Sequence, residues 1–305
     1  MSRSAATSRR GATHGEYDQI RHERSESGTI ITIRNQFLRY LPDGALRQLG
    51  RFVPDECRLV FKVMEDRSGS GVMVDVGACR GAALAPFAGD GWTVYAFEPD
   101  TVNRAELEAT WGNTPDVHID TRAVSDKVQT DLPFFRSDVS EGISGLSAFH
   151  ESHEEAGTVD ATTVDEVVRE HGIGHIDFLK VDTEGHDLFV LEGVDWDNTP
   201  PDVVVCEFED AKTVPLGYSF DDLAMFLTDR GYTVVVSEWY PVVGYGMQHT
   251  WRGFATYPCA LADPDAWGNL IAVRDARDSE RLLAVLDRTS RLWRIGGPAK
   301  RFLKS

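Results

Sequence analysis

The sequence predicts an α/β fold: a mostly parallel, doubly wound sheet with an N-terminal helical preface. Short β-rich runs recur from residue 72 onward, and helical stretches alternate with several of them. Two of the strands run directly into glycine-bearing or charged turns, the kind of sequence that an open α/β sheet places at its ligand crevice.

Residues 1–27 are rich in Ser, Arg, Glu and Gly without apolar periodicity and read as a mobile arm. Over residues 28–70, Phe37, Leu38, Leu41, Leu46, Leu49, Phe52, Leu59, Val60 and Val63 recur at helical spacing, which gives the preface. In the main domain, residues 71–273, strands are expected at 72–76, 93–97, 117–120, 178–182, 203–208, 232–237 and 270–273, with helices at 102–110, 186–192 and 220–230. The polar stretch 137–160, with Gly142, Gly145 and Gly157, reads as a lid or active-site loop. Residues 274–305 form a basic tail, in which Leu282, Leu283, Val285, Leu286 and Leu292 predict a helix docked on its own domain or on a second copy. Peripheral membrane contact is the alternative.

A chain of 305 residues, 42% of them apolar, can bury a sizeable core. The net charge of −18 is uneven: the last 32 residues carry nine Lys and Arg against four Asp and Glu, while the body is strongly acidic. Such a body repels polyanions, so a nucleic-acid partner is not expected. Cys57, Cys79, Cys206 and Cys259 lie far apart without a CxxC pair, and neither a disulfide framework nor a zinc site follows. With no apolar run long enough to span a bilayer and no signal-peptide core, a cytoplasmic location is the expectation.

The run Val72-Met-Val-Asp-Val-Gly-Ala-Cys-Arg-Gly81 is a strand breaking into a glycine turn before a helix. About twenty residues later a second strand ends in Glu98, where a carboxylate can accept both hydroxyls of a ribose. A dinucleotide fingerprint needs a middle glycine where Cys79 stands, and Asp75 would oppose a phosphate. The acidic turn instead suits S-adenosylmethionine, which is cationic and has no phosphate.

These residues resemble the FkbM-type S-adenosylmethionine-dependent methyltransferases. The resemblance rests on Val74-Asp-Val-Gly-Ala78 with Gly81, Ala96-Phe-Glu-Pro99, Arg122-Ala-Val-Ser-Asp126, Gly142-Ile-Ser-Gly-Leu146, and Ile176-Asp-Phe-Leu-Lys-Val-Asp-Thr-Glu-Gly-His186 followed by Val190-Leu-Glu-Gly193. It implies a Rossmann-like class I methyltransferase fold and O-methylation of sugar or natural-product hydroxyls. It also implies cofactor contacts from Asp75, Gly77 and Glu98, with Ala78, Gly81 and Pro99 in the same motifs. Ala123, Ser125 and Asp126 would lie near the adenine.

Lys180, Asp182 and Glu184 alternate at a strand end and so share one face. Asp182 is the principal catalytic candidate; Lys180, Glu184 and His186 compete with it for the role of general base. Glu207 and Glu209 follow the next strand and are candidates for binding acceptor hydroxyls. Asp182 and Glu207 would be the ligands if magnesium or manganese is used. Trp239, Tyr240, Tyr245, His249 and Trp251 form an aromatic stretch that either faces a glycan or covers a sheet edge, with Trp239 and Tyr240 as the substrate candidates.

The expected function is O-methyl transfer to a hydroxyl of a sugar, glycolipid or secondary metabolite, with a homo-oligomer as one possible assembly. A non-catalytic scaffold and an NAD-dependent sugar oxidoreductase are the alternatives.

Overall fold

The computed structural model of the chain describes residues 54–296 apart from Ser68, Gly246 and Gln248, all but Gly296 within the larger of two compact units, Val53–Ile295. The predicted arm, residues 28–53 of the preface and residues 297–305 of the tail lie outside the described residues.

Helix α1 (Glu56–Val63) opens the described chain, capped by the Asp55 carboxylate, and buries Leu59, Val60 and Val63 at the predicted spacing. It leads through a short turn to β1 (Val72–Val76), α2 (Ala85–Gly89), β2 (Thr93–Phe97), α3 (Thr101–Trp111) and β3 (Val117–Asp120). An excursion follows: β4 (Ala123–Val124), β5 (Gln129–Ser137) and β6 (His153–Thr162), then α4 (Val164–His171). The second half of the main sheet comes from β7 (Phe178–Val181), α5 (Asp187–Glu192), β8 (Val203–Glu209), α6 (Asp210–Thr213) and α7 (Phe220–Thr228). Strands β9 (Thr233–Trp239), β10 (Trp251–Thr256) and β11 (Trp267–Val273) and helix α8 (Ala276–Gly296) complete it.

The main sheet has eight strands in the order β10-β9-β11-β8-β7-β1-β2-β3. Strands β3, β2, β1, β7 and β8 pair in parallel, and β11 runs antiparallel between β8 and β9. Strands β7 and β8 are buried along their whole length, which is why they read as near-continuous apolar runs. One face is covered by apolar residues of α1, α2, α3 and α8, among them Leu59, Phe87, Leu107 and Leu282. The other is covered by α4, α5 and α7 through Val167, Leu191 and Leu223. The sheet is therefore doubly wound. From β1 the chain builds outward through β2 to β3, then returns to β7 on the other side of β1. This reversal opens a crevice beyond the carboxyl ends of β1 and β7.

Strands β4, β6 and β5 form a separate small sheet. The expected loop at 137–160 is thus shorter: residues 153–160 belong to β6, and the connection is 138–152. Most of β6 is exposed on both sides, so it carries none of the apolar alternation that marks a half-buried strand. Helix α8 docks on its own domain, with Leu282 and Leu286 in the core and Asp278 accepting from Arg67 at 2.9 Å. Among the described residues no helix is long and apolar enough to cross a membrane.

Candidate active site

The turn after β1 is held at several points. Gly77 and Ala78 donate their N–H groups to the Phe97 carbonyl (3.1 and 2.9 Å). Gly77 has φ +73°, and a Cβ there would lie 1.9 Å from the Asp182 carbonyl oxygen, so β1 and β7 meet at a point only glycine fits. Cys79, in the place of the missing middle glycine, also has positive φ (+49°) and donates its N–H to Glu98 Oε2 at 2.7 Å. Asp100 N–H donates to Glu98 Oε1, also at 2.7 Å. Each Glu98 oxygen is pinned by one backbone donor and keeps a further lone pair. Burial pushes this carboxyl up to about 7, against the pull of the two N–H bonds. Arg104 braces the same loop through the carbonyls of Glu98 and Pro99, both at 2.9 Å. The Cys79 thiol is pushed up to about 11 by burial and by neighbouring Glu98, so it stays protonated at neutral pH.

Several residues expected at a cofactor surface are buried. Asp75 is fully buried, its carboxylate facing Lys180 Nζ at 3.4 Å, and burial pushes this carboxyl up against the pull of Lys180. The space beside Gly81 is filled by Trp111 and Leu107 of α3, so this glycine serves helix packing. Ala78, Ala123 and Ser125 are buried, and of the Ala123–Asp126 segment only Asp126 is partly exposed.

On the β7 side, Lys180 Nζ donates to the Gly77 carbonyl (2.7 Å) and stands 3.5 Å from Asp182 Oδ2. Burial opposes its charge, but Asp182 and Asp75 outweigh burial and hold the ammonium above the ordinary lysine range. The two carboxylates thus favour the charged form of Lys180. The Asp182 side chain, at the mouth of the crevice, is 42% exposed. His186 packs its ring against Phe189 (4.7 Å), its Nδ1 lies 3.5 Å from Ser147 Oγ in the 138–152 connection, and burial lowers its basicity.

Sequence reasoning missed the residue at the centre of the second acidic edge. Lys212, on α6, is buried, with Nζ 2.6 Å from Glu184, 2.9 Å from Glu207 and 2.8 Å from Glu209. Its position three residues after Glu209, in a run of acids, was the available signal. Phe149 from the 138–152 connection and Tyr245 from the β9–β10 hairpin face the same ammonium at 5.2 and 5.9 Å. Asp187, also missed, is fully buried and ties the two edges together by accepting from Glu207 N–H (2.9 Å) and the Thr183 hydroxyl (3.0 Å). Burial raises the Glu184 and Glu207 carboxyls, with Lys212 opposing. Asp182, Glu184 and Glu207 offer oxygens within 4.8 Å of one another.

The aromatic stretch divides. Trp239 ends β9 and Trp251 begins β10, so it is a sheet-edge hairpin. Trp239 is buried and donates to Glu56 at 3.1 Å, away from the acidic edge, because the last β9 residue still faces α1. Tyr240 is exposed beneath the Arg252 guanidinium (4.7 Å). Neither meets Lys212; Tyr245 does.

The 138–152 connection touches both halves of the crevice. Ser144 Oγ donates to Asp100 at 3.2 Å, as does Arg136 Nε from the adjoining end of β5 at 2.6 Å, and Phe149 reaches Lys212.

The doubly wound sheet, with Glu98 and the ion-paired acidic edge at its strand reversal, defines a Rossmann-like fold. The Methyltransferase FkbM domain matches residues 75–234, more than half of the chain, and the chain belongs to that family. Among solved structures, methyltransferase FkbM from Methylobacillus flagellatus KT is 16% identical with a TM-score of 0.40, over 68% of this chain and 44% of that one. The chain thus spans less than half of that protein. Precorrin-6y C5,15-methyltransferase from Geobacter metallireducens GS-15 is 13% identical (TM-score 0.35; 73% and 90% covered), and the METTL16 MTase domain 12% identical (0.41; 78% and 79%). No curated protein matches the chain.

Proposed function

We propose that this protein is an S-adenosylmethionine-dependent O-methyltransferase acting on a hydroxyl of a sugar, glycolipid or secondary metabolite. One observation carries the reading: a single turn joins the two halves of the chemistry. Cys79 holds Glu98, while Gly77, two residues earlier, lies against Asp182 and accepts from Lys180. The donor fits the residues present, since the pinned Glu98 has two lone pairs free for a ribose diol and the edge beside it is acidic, as a cation requires. When bound, S-adenosylmethionine supplies an electrophilic methyl group.

Asp182 accepts the acceptor's hydroxyl proton as the oxygen becomes nucleophilic, with Lys180 paired to its carboxylate at 3.5 Å. Asp75 acts through Lys180 as its buried counter-charge. The acidic edge disfavours a polyanionic acceptor, which supports a neutral polyol over a nucleic acid.

Isothermal titration with S-adenosylhomocysteine and with NAD tests the reading. S-adenosylhomocysteine binds, and its affinity falls as pH drops through about 7, where Glu98 takes up a proton and loses acceptor capacity. Glu98→Gln weakens binding about tenfold to a hundredfold, the worth of a hydrogen bond to a charged group, and flattens this pH dependence. NAD binding without any response to S-adenosylhomocysteine would sink the proposal.

A further inference from the structure

Three features build the ion-pair cluster around Lys212. The short helix α6 folds Lys212 back over the end of β8, where Glu207 and Glu209 share one face. Opposite, Gly185 leaves the space that Lys212 fills: a Cβ there would stand 3.0 Å from Lys212 Cβ. The preceding Glu184 has φ +56°, a conformation disfavoured for a residue with a side chain, and it delivers its carboxylate to the ammonium.

Of the three N–H donors of the ammonium, Glu184 and Glu207 accept one each, at 2.6 and 2.9 Å, and Glu209 Oε2 stands 2.8 Å away as a third ion-pair partner. Three carboxylates thus surround one ammonium, and each glutamate keeps further lone pairs. Asp182, Glu184 and Glu207 would otherwise suit a hard divalent ion.

We propose that the Lys212 ammonium is the resident cation of the acceptor pocket, in place of a divalent ion, and that it positions Glu184 and Glu207 to receive the acceptor's hydroxyls. Lys212 is a positioning residue: methyl transfer runs without a metal, and the aromatic faces of Phe149 and Tyr245 wall the pocket. The positioning role rests on the proposed methyltransferase reading; the occupancy of the carboxylate cluster does not.

The test is Mn²⁺ titration followed by electron paramagnetic resonance, using wild type, Lys212→Ala and Lys212→Ala/Glu184→Gln/Glu207→Gln, with S-adenosylhomocysteine binding as the control for folding. Lys212→Ala binds Mn²⁺ at least about tenfold more tightly than wild type, and the triple variant loses the gain. Lys212→Arg keeps a cation and gains no Mn²⁺ site. Tight Mn²⁺ binding by wild type that is lost in Glu184→Gln/Glu207→Gln overturns the proposal. So does a folded Lys212→Ala with no gain. Should Lys212→Ala fail to fold, the wild-type titration still decides. A chain that binds Mn²⁺ as expected but not S-adenosylhomocysteine refutes the methyltransferase reading alone.

Discussion

Asp182→Asn lowers methyl transfer by about 10²–10⁴-fold, the range over which a positioned general base acts. The readout is tritium transferred from labelled S-adenosylmethionine into an extract of cells lacking the gene, which supplies the acceptor pool. Asparagine preserves the shape of Asp182 and removes its capacity to take a proton. Lys180 retains the Gly77 carbonyl and Asp75 as partners, so the fold and the affinity for S-adenosylhomocysteine stay near wild type. The neighbours do not substitute for it. Lys180 is held in its charged form, His186 is turned against Phe189, and Glu184 is bonded to Lys212 at 2.6 Å. Incorporation within about threefold of wild type, well outside that range, would remove Asp182 from the chemistry and favour a non-catalytic role for the domain.

The strands flanking the crevice were legible because burial on both faces demands apolar residues without interruption, as in the segments that became β7 and β8. Glu98 was legible because its position after β2 follows from strand spacing. What sequence could not supply was direction. The period of two places Asp75 and Lys180 on strands but does not reveal that Asp75 lies wholly inside, nor that Gly81 answers to Trp111 on the following helix. Lys212 escaped because its role depends on three chain segments converging: Glu184 after β7, Glu207 and Glu209 on β8, and Lys212 itself after a turn. The small sheet was missed for the opposite reason, since a strand wet on both faces needs no pattern at all.

Gly77→Ala lowers the melting temperature and abolishes S-adenosylhomocysteine binding together. The added methyl meets backbone, not a flexible side-chain end: the Asp182 carbonyl oxygen at 1.9 Å and its carbon at 3.0 Å. Neither side gives easily. Gly77 donates to Phe97 and accepts from Lys180, while Asp182 N–H donates to the Val76 carbonyl. Relief therefore breaks hydrogen bonds on both strands, moves the Cys79 N–H that pins Glu98, and misdirects Asp182. Two or three lost bonds plus the positive-φ penalty come to about 3 kcal/mol or more, which for a domain of this size is roughly 6–12 °C. Gly172→Ala is the internal control. It carries a similar φ of +64° with nothing within 4 Å of its would-be Cβ. It should lose only the conformational part, about 1–2 kcal/mol, with binding unchanged. The difference between the two variants isolates the contact between β1 and β7. If Gly77→Ala melts no lower than Gly172→Ala and still binds S-adenosylhomocysteine, the two halves of the crevice are not joined through this turn.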